Sequence, residues 1–270
     1  MDRVSLGVAA FFALAAAGAT TAYAQKDKAL ESIDAYREAL QDGNPAELYE
    51  ATGEELWSKP GGPKNASLEK CDLGLGAGVV KGAYAQLPRY FADTDKVQDL
   101  ESRLLTCMET LQGKDPKPYI QASFKDAPKE EMNALSAFIS GQSKGLPINV
   151  KPTHPKEQAM FELGKRMFFF EGGPYDFACA TCHGQEGTRI RMQELPYIPS
   201  AQGAASGWTS WPAYRVSSGE MWSMQWRIND CFRQQRFPEP VYVSDATIAL
   251  SMYMAATASG ATMKTPGIKR

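Results

Sequence analysis

Apolar residues recur along this chain at helical spacing, and the same spacing returns a second time further on. Val97, Leu100, Leu104 and Met108 form one stripe, and Met221, Met224, Ile228 and Phe232 form its copy. Steps of three or four residues place such side chains on one face of a helix. A helix beginning near Ser217 is expected to carry the second stripe, with Glu220 three residues on as a capping-box partner. Pro155 to Phe170 reads as a further helix running into the turn Gly172-Gly173-Pro174. A last helix in each half is expected around Leu135-Ser136 and Leu250-Ser251.

Aligned on itself, the chain falls into two halves. At one constant offset Gly53 matches Gly164, Leu56-Trp57 matches Met167-Phe168, Gly61-Gly62-Pro63 matches Gly172-Gly173-Pro174, and Cys71 matches Cys182. At a second offset Pro88, Tyr90, Arg103 and Cys107 match Pro212, Tyr214, Arg227 and Cys231. The duplication predicts two mainly α domains, 25–150 and 151–270, each of a length that suits one core. The stretch from Leu146-Pro147 to Pro155 is the expected linker.

The start of the chain differs from everything after it. Arg3 precedes an apolar run from Val4 to Ala17, and Ala22-Tyr23-Ala24 fits a signal-peptidase site before Gln25. Residues 1–24 are therefore expected to be a signal peptide and the mature chain to be periplasmic. The run is shorter than the roughly 20 residues that span a bilayer, and no later segment comes close, so no membrane span is expected. A formal charge of −2 points to neither nucleic acid nor an anionic membrane as partner.

Candidate chemistry enters with Cys179-Ala180-Thr181-Cys182-His183. Two thiols three residues apart reach the two vinyl groups of one haem while the following histidine turns its imidazole to the iron. One covalent haem c is expected on Cys179 and Cys182, with His183 as an iron ligand. A thioredoxin-like redox pair or a zinc knuckle would use the same two cysteines. Zinc would need further ligands, and His154 is the only other histidine. Lying between Thr153 and Pro155, His154 reads as a linker residue rather than a second iron ligand. Helices at both ends of a haem-motif segment resemble a class I cytochrome c.

In the first half the motif lies over Leu68-Glu69-Lys70-Cys71-Asp72, which lacks the first cysteine and the histidine, so that half cannot hold haem in this way. The two cysteines it keeps, Cys71 and Cys107, are expected to form a disulfide that stabilises the empty domain by roughly 3 to 4 kcal/mol. The alternative is two separate buried thiols.

Three residues compete for the far side of the iron: Met221, Met224 and Cys231. Arg227 stands one turn before Cys231 and about 40° around the helix, so its guanidinium can reach the neighbourhood of the sulfur. Ferric iron and that cation would together favour thiolate over thiol, whose ordinary pKa is about 8.5. An unpaired cysteine is a liability in an oxidising compartment unless it is used. Thiolate ligation, with its lower potential, suits a reactive sulfur better than a general electron carrier.

Through the haem motif, the duplication and the segment Arg227-Ile228-Asn229-Asp230-Cys231-Phe232-Arg233, essentially the whole mature chain resembles the SoxA family, the larger subunits of the SoxAX cytochromes of sulfur oxidation. The resemblance implies two tandem class I cytochrome-c-like domains. It makes His183 the proximal ligand and Cys231 the distal one, with sulfur that can exist as a persulfide, and Arg227 the active-site arginine. The departures at Leu68 and Asp72 are similar to the monohaem branch. The implied activity is that of an L-cysteine S-thiosulfotransferase, which oxidatively joins thiosulfate to a cysteine on the flexible arm of a SoxYZ-like carrier. The implied partner is a small SoxX-like cytochrome that completes a heterodimer and passes electrons onward. An arginine beside a sulfur nucleophile suits an anionic substrate. Arg233 and Arg236 either extend that positive rim or merely solvate the helix. The competing reading is a plain periplasmic electron-transfer cytochrome with the same His/Cys ligation. A haem-based sensor would need an open sixth position, and Cys231 argues against it.

Overall fold

The computed structural model describes residues 43–122, 126–190 and 193–269, with Ser32, Ala35, Tyr36 and Ala39 ahead of them. The expected signal peptide, residues 1–24, lies outside the described residues. The chain divides into two compact units, Met1–Asn44 and Pro45–Arg270, and every element named below lies in the second. Helix α1 (Ala46–Ser58), the hairpin β1–β2 (Arg89–Phe91 and Lys96–Gln98), α2 (Leu100–Cys107), α3 (Lys117–Gln121) and α4 (Ala127–Gly141) come first. They are followed by α5 (Pro155–Phe169), α6 (Cys179–His183), the short pair β3–β4 (Arg189–Ile190 and Gln193–Glu194), α7 (Ala201–Trp208), the hairpin β5–β6 (Ala213–Arg215 and Glu220–Trp222), α8 (Met224–Gln234), α9 (Asp245–Thr257) and β7 (Gly267–Lys269). The fold is mainly α, as the helical stripes predict.

One sequence of elements occurs twice. Helix α1 packs on α4, and α5 packs on α9. Each crossing is close because a glycine stands in it: a Cβ on Gly53 would fall on the carbonyl oxygen of Ala134, and one on Gly164 on that of Ala249. An isolated bridge, Gly61 to Ala66 and again Gly172 to Phe177, closes the turn after the first helix of each pair. A hairpin then leads into a capped helix, β1–β2 into α2 and β5–β6 into α8. Asp99 caps α2 by accepting from Ser102 N, and Ser223 caps α8 by accepting from Trp226 N, each satisfying an N–H that the helix leaves free. β7 runs parallel to β5 and adds a third strand to the second hairpin.

Here the structure departs from the expected helix at Ser217. Residues Ala213 to Trp222 form the hairpin, turned at Ser218-Gly219 with Gly219 at a φ of 69°, and α8 begins only at Met224. Met221 is a strand residue, as is its counterpart Val97. The stripe that reads as one helix is in both halves a strand position followed by helix positions. Glu220 therefore caps nothing, and its place is in register opposite Arg215.

The two halves share one buried core that runs from Trp57 to Met263. A polar seam crosses it. Asp99 accepts from Gln225 Nε2 at 2.5 Å, and the Lys129 ammonium donates to Tyr119 O at 2.7 Å while lying 3.0 Å over the ring of Tyr242. Burial raises the Glu101 carboxyl to about 8, with Asp99 adding repulsion, and burial lowers Lys129 to about 7 against the pull of Glu101. The linker is pinned by the buried carboxylate of Glu157, which accepts from the backbone N–H groups of Tyr90, Thr153 and His154 at 2.8, 3.1 and 3.0 Å.

Candidate functional site

The haem motif forms α6, one tight helical turn. Thr181 Oγ1 accepts from Ala178 N at 2.9 Å to start it, and Gly184 N closes it on Ala180 O at 2.7 Å. A Cβ at Gly184 would meet that same carbonyl, so the residue after the histidine must be small. Cys179 and Cys182 are unpaired thiols and half-buried. His183 Nδ1 lies 2.9 Å from the carbonyl oxygen of Pro196. A carbonyl only accepts, so Nδ1 carries the proton and Nε2 keeps a free lone pair. Burial lowers the His183 pKa, the Pro196 acceptor opposes this, and the Arg227 charge adds to it. The net lowering leaves a neutral imidazole ready to ligate.

Helix α8 brings the second group of residues to the motif. Arg227 and Cys231 are one turn apart, as the spacing predicts, and Cys231 lies within electrostatic reach of Cys179 and Cys182. Burial pushes the Cys179 thiol up to about 12, with Cys231 and Cys182 adding to it. Burial likewise raises the Cys231 thiol; Arg227 and Arg215 pull it down without overcoming burial. The thiolate expected from ferric iron and Arg227 together would therefore need the charge of the iron, since the arginines alone do not overcome burial.

Sequence reasoning missed two residues here. The buried carboxylate of Asp230 is the hub of α8: it accepts from Arg227 NH1 at 2.8 Å, Arg233 NH2 at 2.5 Å and Gln234 Nε2 at 2.6 Å. Arg-x-x-Asp at i, i+3 was the available signal. Arg233 is thus a clamp on Asp230, although its side chain stays 62% exposed. Arg215, at the end of β5, is half-buried, packs 4.9 Å over Trp222, and has Arg227, Asp230 and Cys231 as its electrostatic neighbours.

The other candidates are placed elsewhere. Met221 is fully buried against Ala46 and Ala137, and Met224 lies within the main core. His154 caps α5 through Lys156 N and stacks on Tyr90, ring centres 3.7 Å apart. Arg236 follows α8 at a φ of 61°, and its backbone N–H donates to Arg233 O.

The first half shows what surrounds the same positions where the Cys-x-x-Cys-His motif is missing. Cys71 and Cys107 form the expected disulfide. Arg103 is closed off: Nε donates to Asp72 O at 2.6 Å, NH1 meets the Asp93 carboxylate at 2.8 Å, and the guanidinium sits 4.1 Å over Phe91. Leu68 is core, and Asp72, at the position of His183, accepts from Gly74 N and Gly76 N in a turn.

The residues of the second half fit a c-type haem. Two free thiols on one turn stand beside an imidazole with a free Nε2. Phe169, Phe170, Tyr175 and Phe177, on the segment leading into the motif, expose 39 to 69% of their surface, apolar area of the kind a macrocycle covers.

Comparison with known proteins gives the family. The model of the SoxA/TsdA cytochrome c domain matches residues 52–148. The chain is 56% identical, over 100% of both chains, to the L-cysteine S-thiosulfotransferase subunit SoxA of Hydrogenophilus thermoluteolus. It is 35% identical to a SoxA of Hydrogenobacter thermophilus, over 95% of this chain and 96% of that one. The fold matches the crystal structure of SoxXA from P. pantotrophus with a TM-score of 0.71 at 23% identity, covering 87% of this chain and 83% of that chain. No helix among the described residues is long and apolar enough to cross a membrane. By its identity to these relatives along the full length, the chain belongs to the SoxA family of c-type cytochromes.

Proposed function

We propose that this chain is the catalytic subunit of an L-cysteine S-thiosulfotransferase, working in the periplasm after removal of residues 1–24. In this reading residues 25–150 are a cytochrome-c-like domain without haem and 151–270 a domain with one. Cys179 and Cys182 would hold the haem covalently, His183 Nε2 and Cys231 would ligate its iron, and the haem when bound would supply the electron acceptor and the charge that keeps Cys231 a thiolate. A small SoxX-like cytochrome pairs with the chain, and a SoxYZ-like carrier presents its cysteine.

The observation that carries the reading is the cluster Arg227, Asp230 and Cys231 on one helix, delivered to the haem motif. The overall reaction joins the carrier sulfur to the outer sulfur of thiosulfate. One S–S bond forms, one proton leaves the carrier thiol, and two electrons pass out of the protein. Asp230 fixes Arg227 in place before substrate arrives, so little side-chain ordering remains to be done on binding. Arg227 orients the anion and offsets its charge beside the buried sulfur. The test is Cys231→Ala in the haem-loaded heterodimer. It is expected to lose thiosulfate-dependent conjugation while keeping its haem; full turnover in that variant would overturn the role of Cys231, and wild type that passes electrons without forming the conjugate would leave only the electron-carrier reading.

A further inference from the structure

The two halves hold the same Arg-x-x-x-Cys pair, and what surrounds each arginine differs in one direction. Around Arg103 stand Phe91, whose ring the guanidinium covers, and Asp93, whose carboxylate neutralises it. At the same offset the second half has Arg215 in place of Phe91 and Ser217 in place of Asp93. An attractive pair has become a pair of like charges. The carboxylate that the second half does bring, Asp230, has both oxygens engaged by Arg227, Arg233 and Gln234, so its hydrogen bonds go elsewhere and its charge only partly offsets burial and Arg227 at Arg215. The Nε of Arg215 is buried and has no hydrogen-bond partner among the described residues. Trp222 supports the guanidinium from one side. A half-buried cation with another as its electrostatic neighbour, and with a buried Nε donor unspent, is placed to take up an anion.

We propose that Arg215 is a second substrate-binding cation: with Arg227 it holds the sulfonate end of thiosulfate and so leaves the outer sulfur toward Cys231. This rests on the transferase reading for the choice of anion. A sulfonate presents three oxygens, enough to engage two planar guanidinium forks at once. One fork on α8 and one on β5 fix the anion from two directions, where Arg227 alone would let it pivot.

The test uses the haem-loaded full chain with its partner cytochrome, and two readouts. Thiosulfate is titrated calorimetrically onto wild type, Arg215→Gln, Arg215→Lys and Arg215→Phe, and KM values for thiosulfate and for the carrier are taken separately. Arg215→Phe installs the residue that the first half already accommodates, so it guards against a mere folding defect. Ferric spectra check that axial ligation is unchanged. Arg215→Gln and Arg215→Phe are expected to raise both the Kd and the KM for thiosulfate about tenfold or more, the effect of losing one charge-assisted contact. Arg215→Lys should recover most of the loss, and the KM for the carrier should stay within about twofold. A thiosulfate Kd that moves less than about twofold in both Gln and Phe variants overturns the proposal, as does a change confined to the carrier KM. Wild type that binds thiosulfate through Arg215 without turning it over would sink the transferase reading and leave the anion site standing.

Discussion

The disulfide of the first half offers the most direct measurement. Cys71 and Cys107 are 36 residues apart in sequence and both buried. On the chain-entropy relation a closed loop of that length restricts the unfolded chain by about 4 kcal/mol. A protein of this size loses roughly 2 to 4 °C of Tm per kcal/mol. Reducing the bond in the haem-loaded protein is therefore expected to lower the melting temperature by about 8 to 15 °C, read by far-ultraviolet circular dichroism with and without a phosphine reductant. Reduction leaves both sulfur atoms in place, so the difference isolates the cross-link. The double variant Cys71→Ala/Cys107→Ala loses packing as well and should melt about 2 kcal/mol lower still. Because the core is continuous across both halves, the loss should appear in one transition rather than two. A shift below about 2 °C on reduction would refute the reasoning. So would alkylation of Cys71 and Cys107 in unfolded protein that had never met a reductant.

Two further outcomes follow from the packing and the seam. Gly164→Ala puts a methyl group onto the Ala249 carbonyl and must open the α5–α9 crossing; a net loss of about 1 to 2 kcal/mol in urea unfolding is expected after the helix-propensity gain, and a stabilised variant would contradict the crossing geometry. The folded-state pKa of Glu101 is raised to about 8 from 4.5, so its contribution to stability is full below pH about 4.5 and is lost as the pH rises toward 8; Lys129, lowered to about 7, loses its contribution as the pH falls through 7. Glu101→Gln should therefore flatten the decline in stability between pH 5 and 8, and urea midpoints that fall in parallel with wild type would exclude Glu101 as its source.

The haem motif, the duplication and the Arg227–Cys231 spacing were legible because each is local or self-referential: a turn needs its own residues, and a copy declares itself. The helix expected from Ser217 failed for a physical reason. Met221 stands three residues before Met224, a helical step, yet the backbone between them changes from strand to helix at Ser223. What makes Ala213 to Trp222 a sheet is the antiparallel pairing of β5 with β6, to which β7 from near the far end of the chain adds a third strand, and the spacing of apolar residues does not report that register. Asp230 was overlooked because an acid on a polar helix is usually solvated. Its burial depends on α8 lying against the rest of the molecule. Arg215 carried no periodic signal, and only comparison with Phe91 reveals that its charge is out of place.

The hydrogen bond from Gln225 to Asp99 reaches beyond stability. Gln225, in the first turn of the helix that bears Cys231, is held by a carboxylate from the half that lacks the Cys-x-x-Cys-His motif, and that carboxylate is buried. A gene trimmed to the half with that motif would yield a polypeptide with a severed interior, its amide and its apolar faces turned to water. A motif can be lost from one half of such a molecule while the stretch of chain at its place stays indispensable to the other half.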